Sequence, residues 1–166
     1  MEEITLTMPH LEAVLHDYAD EVRRLYQENL VKSDRLASEE LYNSVETDVL
    51  IEDTVYRVTL TLADYWKYVE DDTRPHWPPV DALIKWIAVK PVIPRPDSRG
   101  RIPTPRSLAY LIGRKIAEKG TKGSHDLRDT LTEVNAHYAQ LITAALAQDV
   151  EDIARQSIIT FLSLRR

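Results

Sequence analysis

The stretch VETDVLIEDTVYRVTLTL (Val45–Leu62) decides the fold class. Val45, Thr47, Val49 and Ile51 alternate with Glu46, Asp48, Leu50 and Glu52. After Asp53-Thr54, Tyr56, Val58, Leu60 and Leu62 alternate with Val55, Arg57, Thr59 and Thr61. Successive strand side chains point to opposite faces, so a period of two marks strands with one dry and one wet face. Two such runs around a short polar break predict an antiparallel hairpin over about 44–62. A lone hairpin is marginal in water, so its dry face must pack on flanking elements.

Those elements are helical. On the N-terminal side Leu11, Val14, Leu15, Tyr18, Val22, Leu25 and Tyr26 follow the i, i+3, i+4, i+7 pattern of an amphipathic helix over about 10–32. A short helical piece around Ala37–Tyr42 follows, with Ser38 as its cap. Beyond the hairpin, Pro78-Pro79 opens a short helix carrying Val80, Leu83, Ile84 and Ile87. Thr104-Pro105 caps a second one over about 106–119, which Gly120 stops. Ser124 restarts a closing helix over about 124–160, whose seam Leu127, Leu131, Val134, Tyr138, Leu141 and Ala145 should pack on the first helix. That seam drifts near Gln148-Asp149, which predicts a bend or break there. The tail ITFLSLRR fits a helical turn or a strand equally. Eight of nine prolines lie between Pro75 and Pro105, so Pro91–Pro105 reads as an extended, basic, Pro-rich loop. The expected fold is a single α+β domain, 1–166: long N- and C-terminal helices packed with a small antiparallel sheet, short central helices and a long loop.

Composition sets limits. A chain of 166 residues with 43% apolar residues can bury a core without staples, and with no cysteine it has neither disulfides nor zinc–thiolate sites. No apolar run reaches the ~18–20 residues of a membrane span, and the start MEEITLTMPH does not resemble a secretory signal, so no membrane partner is expected. The net charge of −6 is unevenly spread: residues 1–73 balance at −12, residues 74–128 at +8 and residues 129–166 at −2. Such polarity points to a charged partner, whether nucleic acid, another protein or a second copy.

Catalytic and metal chemistry have no visible seat. His10, His16, His76, His125 and His137 show no i, i+4 pairing, and no Walker loop, G-x-S-x-G or G-x-G-x-x-G occurs. No cofactor, metal or small-molecule substrate is expected. Glu70-Asp71-Asp72 reads as a solvated helix end rather than a cation site. Gly120-Thr121-Lys122-Gly123 has the form of an RNA-clamping G-x-x-G loop, but reads more simply as a helix stop followed by a turn. Tyr65, Trp66, Tyr68, Trp77 and Trp86 form a core around the hairpin or anchor an interface. The loop arginines Arg95, Arg99, Arg101 and Arg106 suit phosphate or an acidic protein face, and Pro91 to Pro94 suits an SH3-like groove.

The order of four motifs resembles the tail-completion, or head–tail joining, proteins of tailed bacteriophages. They are ASEELYNSVET (Ala37–Thr47), ADYWKYVEDDT (Ala63–Thr73), PPVDALIKWI (Pro78–Ile87) and GRKIAEKGTKG (Gly113–Gly123) followed by Ser124-His125-Asp126-Leu127. The sequence departs from the family at Asp71-Asp72, where glycine is usual, and at Ser124-His125, where Pro-Phe is usual. The resemblance implies a non-enzymatic virion protein made in the bacterial host cytoplasm, forming a ring at the neck or tail and joining neighbouring neck and tail proteins. DNA contact in that setting would be non-specific. Arg95, Arg99, Arg101 and Arg106 are then expected to meet Glu46, Asp48 and Glu52 of an adjacent copy, with Tyr65, Trp66 and Trp77 adding apolar contact. The competing readings are a nucleic-acid-binding module using residues 74–128 and an adaptor recruiting a partner through the Pro-rich loop.

Overall fold

The computed structural model describes residues 7–33, 39–52, 55–90, 92–96 and 98–163. The architecture is α+β. Its elements run α1 (Pro9–Lys32), α2 (Glu40–Asn43), β1 (Glu46–Glu52), β2 (Val55–Thr61), α3 (Trp66–Glu70), α4 (Val80–Val89), α5 (Pro105–Lys119) and α6 (Asp126–Ser163). The chain forms two compact, interleaved units, the first from residues 1–28, 45–61 and 127–166 and the second from 29–44 and 62–126.

The first unit is an antiparallel pair of long helices with a hairpin against it. Three contacts fix the direction: residue 10 meets 149, Tyr18 meets Tyr138, and Val22 packs with Val134. The core is Val22, Leu25 and Val134, with Tyr18, Leu131, Tyr138 and Leu60 of β2 packed around it. The hairpin presents its dry face here. β1 and β2 pair antiparallel from Glu46↔Thr61 to Glu52↔Val55 without a break, so Thr47, Val49 and Ile51 stand beside Leu60, Val58 and Tyr56. Of the remaining positions, Glu46, Asp48, Glu52, Val55, Arg57, Thr59 and Thr61 face outward and are exposed, while Leu50 on the same side is half-buried.

The N-terminus of α1 is fully accounted for. The first four amides of a helix have no partner inside it. Pro9 has no amide hydrogen, and Glu12 N donates to Met8 O at 2.9 Å. His10 N and Leu11 N both donate to the carboxylate of Asp149, at 3.0 and 2.7 Å. Asp149 is only 1% exposed, and the positive end of the helix dipole is what makes a buried carboxylate tolerable there. This corrects the expected bend: α6 runs unbroken for 38 residues through Gln148-Asp149 and on to Ser163. The apolar stripe lapses there because a polar residue is needed to cap α1. The tail through Ser163 is therefore helical, while residues 164–166 lie outside the described residues. Leu141 also departs from expectation, since at 44% exposure it lies off the seam, whereas Ala145 is buried.

The second unit pairs α4 with α5. Thr104 Oγ1 accepts from Ser107 N at 3.2 Å with Pro105 in the first turn, as the sequence predicts for the start of α5. Pro79 is the residue preceding α4. Ser38 falls outside the described residues; α2 starts after Glu39, which has φ 55° and makes no side-chain capping bond. α6 begins at Asp126 rather than Ser124, because His125 has φ 60° and cannot continue a right-handed helix. Ser33 Oγ donates to the buried Asp126 at 2.7 Å.

Two measurements test this packing. Asp149→Ala removes both amide partners at once and should lower unfolding free energy by about 1–3 kcal/mol in denaturant titration. Burial raises the ionisation of the Tyr18 and Tyr138 hydroxyls above their ordinary value of 10.0, and Tyr18 OH donates to Asn135 Oδ1 at 2.9 Å. With the folded value raised, this stability is present below pH 10 and is lost as pH rises through the folded value. The melting temperature should therefore fall above pH 10, and fall less in the Tyr18→Phe/Tyr138→Phe variant.

Candidate assembly surfaces

The outward face of β1 carries one group of expected interface residues. Strand alternation brings Glu46, Asp48 and Glu52 to the same side of the sheet, all exposed, with Arg57 of β2 on that side too. No apolar cover lies over them within the hairpin, so this is an acidic, solvated strip.

The arginines lie in the second unit. Arg95, Arg99 and Arg101 are exposed on the connection between α4 and α5, which has no helix or strand among its described residues and turns at Ser98–Gly100, with Gly100 at φ 72°. Ile93 is 89% exposed and Ile102 is also exposed, so the segment offers apolar side chains together with its charges. Arg106, in the first turn of α5, lines a shallow cavity of about 460 Å³ with Thr104, Ser107, Tyr110 and Leu111. Trp77 stands beside it, its ring 5.3 Å from that of Tyr110 and inclined at 60°. Thus Arg106 and Trp77, 29 positions apart in the chain, belong to one basic and aromatic surface on α5.

The aromatic cluster is not the core of the hairpin. Tyr65, Trp66, Trp77 and Trp86 all belong to the second unit, whereas the hairpin packs through Leu60 on Val22, Leu25 and Val134 of the first. Tyr65 and Trp66 are half-buried at the start of α3, and Trp77 is half-exposed beside α5, where it closes with Leu83 and Pro78 over the buried Gly113. Sequence reasoning missed Tyr110 and Leu111. Leu108, Leu111, Ile112 and Ile116 recur at helical spacing along α5, and one helix read alone does not reveal how wide a face its neighbour covers.

The Gly120–Gly123 turn faces its own chain. Thr73 N donates to Thr121 O at 2.9 Å, Ser124 N to Val69 O at 2.8 Å and His125 N to Glu70 O at 3.2 Å. Gly123 N donates to Asp72 Oδ1 at 2.8 Å, and the Thr73 and Thr121 hydroxyls meet at 2.7 Å. A Cβ on Gly120 would lie 1.9 Å from Thr73 O, and one on Gly123 2.1 Å from Glu70 O. Both glycines are therefore required by close backbone approach, as the helix-stop reading holds. The reading of Glu70-Asp71-Asp72 as a wholly solvated end is corrected as well: Glu70 is buried and Asp72 holds the turn.

No family model, curated protein or solved structure matches the chain. Among the described residues, no group of three or more His, Asp or Glu side chains is arranged to hold a metal ion, and no helix is long and apolar enough to cross a membrane.

Gly123→Ala provides the test of the turn. Its Cβ must displace backbone, so the variant should lose about 2 kcal/mol or more in thermal or urea unfolding, while Lys122→Ala, on an exposed side chain, should stay within about 0.5 kcal/mol.

Proposed function

We propose that this chain is a structural subunit of a tailed-phage or prophage virion, a ring-forming head–tail connector or tail-completion protein that joins neck and tail components. It acts by contact alone, without catalysis. The observation that carries the reading is that one chain presents two unlike surfaces, one in each unit. Exposed Glu46, Asp48 and Glu52 line β1, while Arg95, Arg99, Arg101 and Arg106 surround the exposed apolar groups of the α4–α5 connection and α5. Identical copies with two unlike surfaces associate head to tail, and such contacts close into rings when the rotation fits. The order of the four sequence motifs supports the same assignment.

The division of labour follows from magnitudes. Exposed ion pairs contribute ~0–1 kcal/mol each, so the arginines govern encounter and register. Half-exposed Trp77, Tyr110 and Leu111 provide the larger area, because aromatic anchors dominate interface energies. In this reading Trp77 and Arg106 act together; Tyr65 and Trp66, half-buried within their own unit, contribute less.

Mass measurement across protein concentration, at low and high salt, tests the assignment. Discrete higher-order species should form, and their formation should slow markedly from ~0.05 to ~0.5 M salt, over which the screening length drops from ~14 to ~4 Å. Arg99→Glu/Arg101→Glu should slow assembly in the same way at low salt. A chain that stays monomeric throughout ends the ring reading; assembly indifferent to both changes assigns the charges to another partner, with duplex DNA tested next.

A further inference from the structure

Resting on that assembly reading, we propose that the copies join by strand addition. The outer edge of β2 in one copy pairs with the outer edge of β1 in the next, so that a single sheet runs from subunit to subunit.

The sheet has two strands, so among the described residues each has one edge that no third strand covers. Along such an edge, alternate amides and carbonyls point away from the existing partner. Proteins that must stay monomeric blunt edges of this kind with proline, lysine, a bulge or a very short strand. All four are absent here; the charges that β1 does carry are carboxylates, which repel a second β1 edge but not a basic one. β1 and β2 are both seven residues long, their register is continuous over seven pairs, and neither contains proline or lysine. β2, VYRVTLT, is made almost wholly of β-branched and aromatic residues with a single charge, Arg57.

Charge selects which edges meet. Pairing β1 with β1 would set Glu46, Asp48 and Glu52 beside the same carboxylates, and like charges on neighbouring strands destabilise. Pairing β2 with β1 instead places Arg57 among them, on the same outward face, with Thr59 and Thr61 beside it. The contact joins two different edges, so it is head-to-tail. Backbone hydrogen bonds supply affinity in strand addition, while side chains choose the partner. On the inner side, Val49, Ile51, Tyr56 and Val58, each half-buried in one copy, would form a continuous apolar face across the junction.

Residue-resolved amide exchange on the intact chain, concentrated and then diluted to monomer, tests the pairing. In the assembled protein the alternate outward amides of β1 and β2 should exchange about tenfold or more slowly than in the monomer. Arg57→Glu, an exposed substitution that leaves the fold intact by circular dichroism, should lower the assembled fraction several-fold at low salt. Assembly with exchange in both strands unchanged, or with Arg57→Glu matching the parent, overturns strand addition and leaves the ring reading standing. Symmetric dimers protected at β2 alone also overturn it, in favour of β2 pairing with itself. Absence of any assembly overturns the ring reading first.

Discussion

The carboxylate of Asp149 is the constraint on which the first unit depends. It sits late in α6 and holds the first two free amides of α1, so it sets the longitudinal register of two helices that otherwise slide on an apolar seam. Once residue 149 stands at residue 10, Tyr18 falls beside Tyr138 and Val22 beside Val134, and the hairpin finds a fixed apolar floor for Leu60. Hydrophobic burial drives the association without direction. The hydrogen bonds to one buried carboxylate give it a unique alignment. His10 adds an outer contact, its Nε2 3.4 Å from Asp152.

Periodicity carried most of the architecture. The two-residue period of Val45–Leu62, the seam of α1, the seam of α6 apart from Leu141, the Thr104-Pro105 cap and the Gly120 stop stand in the structure as local pattern predicts. These are features set by neighbours in sequence. The unbroken passage of α6 through Gln148-Asp149 was not legible, because a polar residue on an apolar stripe reads as a break until the helix end it serves is known. The left-handed residues Glu39 and His125 were equally hidden, since nothing in their side chains demands φ near 60°. Contacts 48 or 139 positions apart are tertiary facts.

The candidate surfaces were partly legible for the same reason. Strand alternation alone places Glu46, Asp48 and Glu52 on one face, and proline density alone marks the α4–α5 connection as irregular. The grouping of Arg106 with Trp77, Tyr110 and Leu111 was not visible, because it depends on how α5 packs beside the turn before α4. The aromatic cluster misled by proximity in sequence: three tryptophans within 21 residues suggest one core, yet each occupies a different setting, half-buried in α3, beside α5 and on α4. The G-x-x-G pattern shows the converse. Its glycines answer to the backbone of Glu70 and Thr73, and the same spacing in another chain can serve a phosphate.

The Asp149 clasp also imposes an order on folding. His10 and Asp149 are separated by 139 positions, so the contact that aligns the first unit closes a loop spanning most of the chain. During synthesis α1 emerges with Val22 and Leu25 bare and has no seam to cover them until α6 follows. The hairpin and the α4–α5 pair, whose contacts are nearer in sequence, can form in the interval. The α1–α6 core thus cannot be completed before α6 is made, and until then Val22 and Leu25 have Leu60 of the hairpin but not Val134 to pack on.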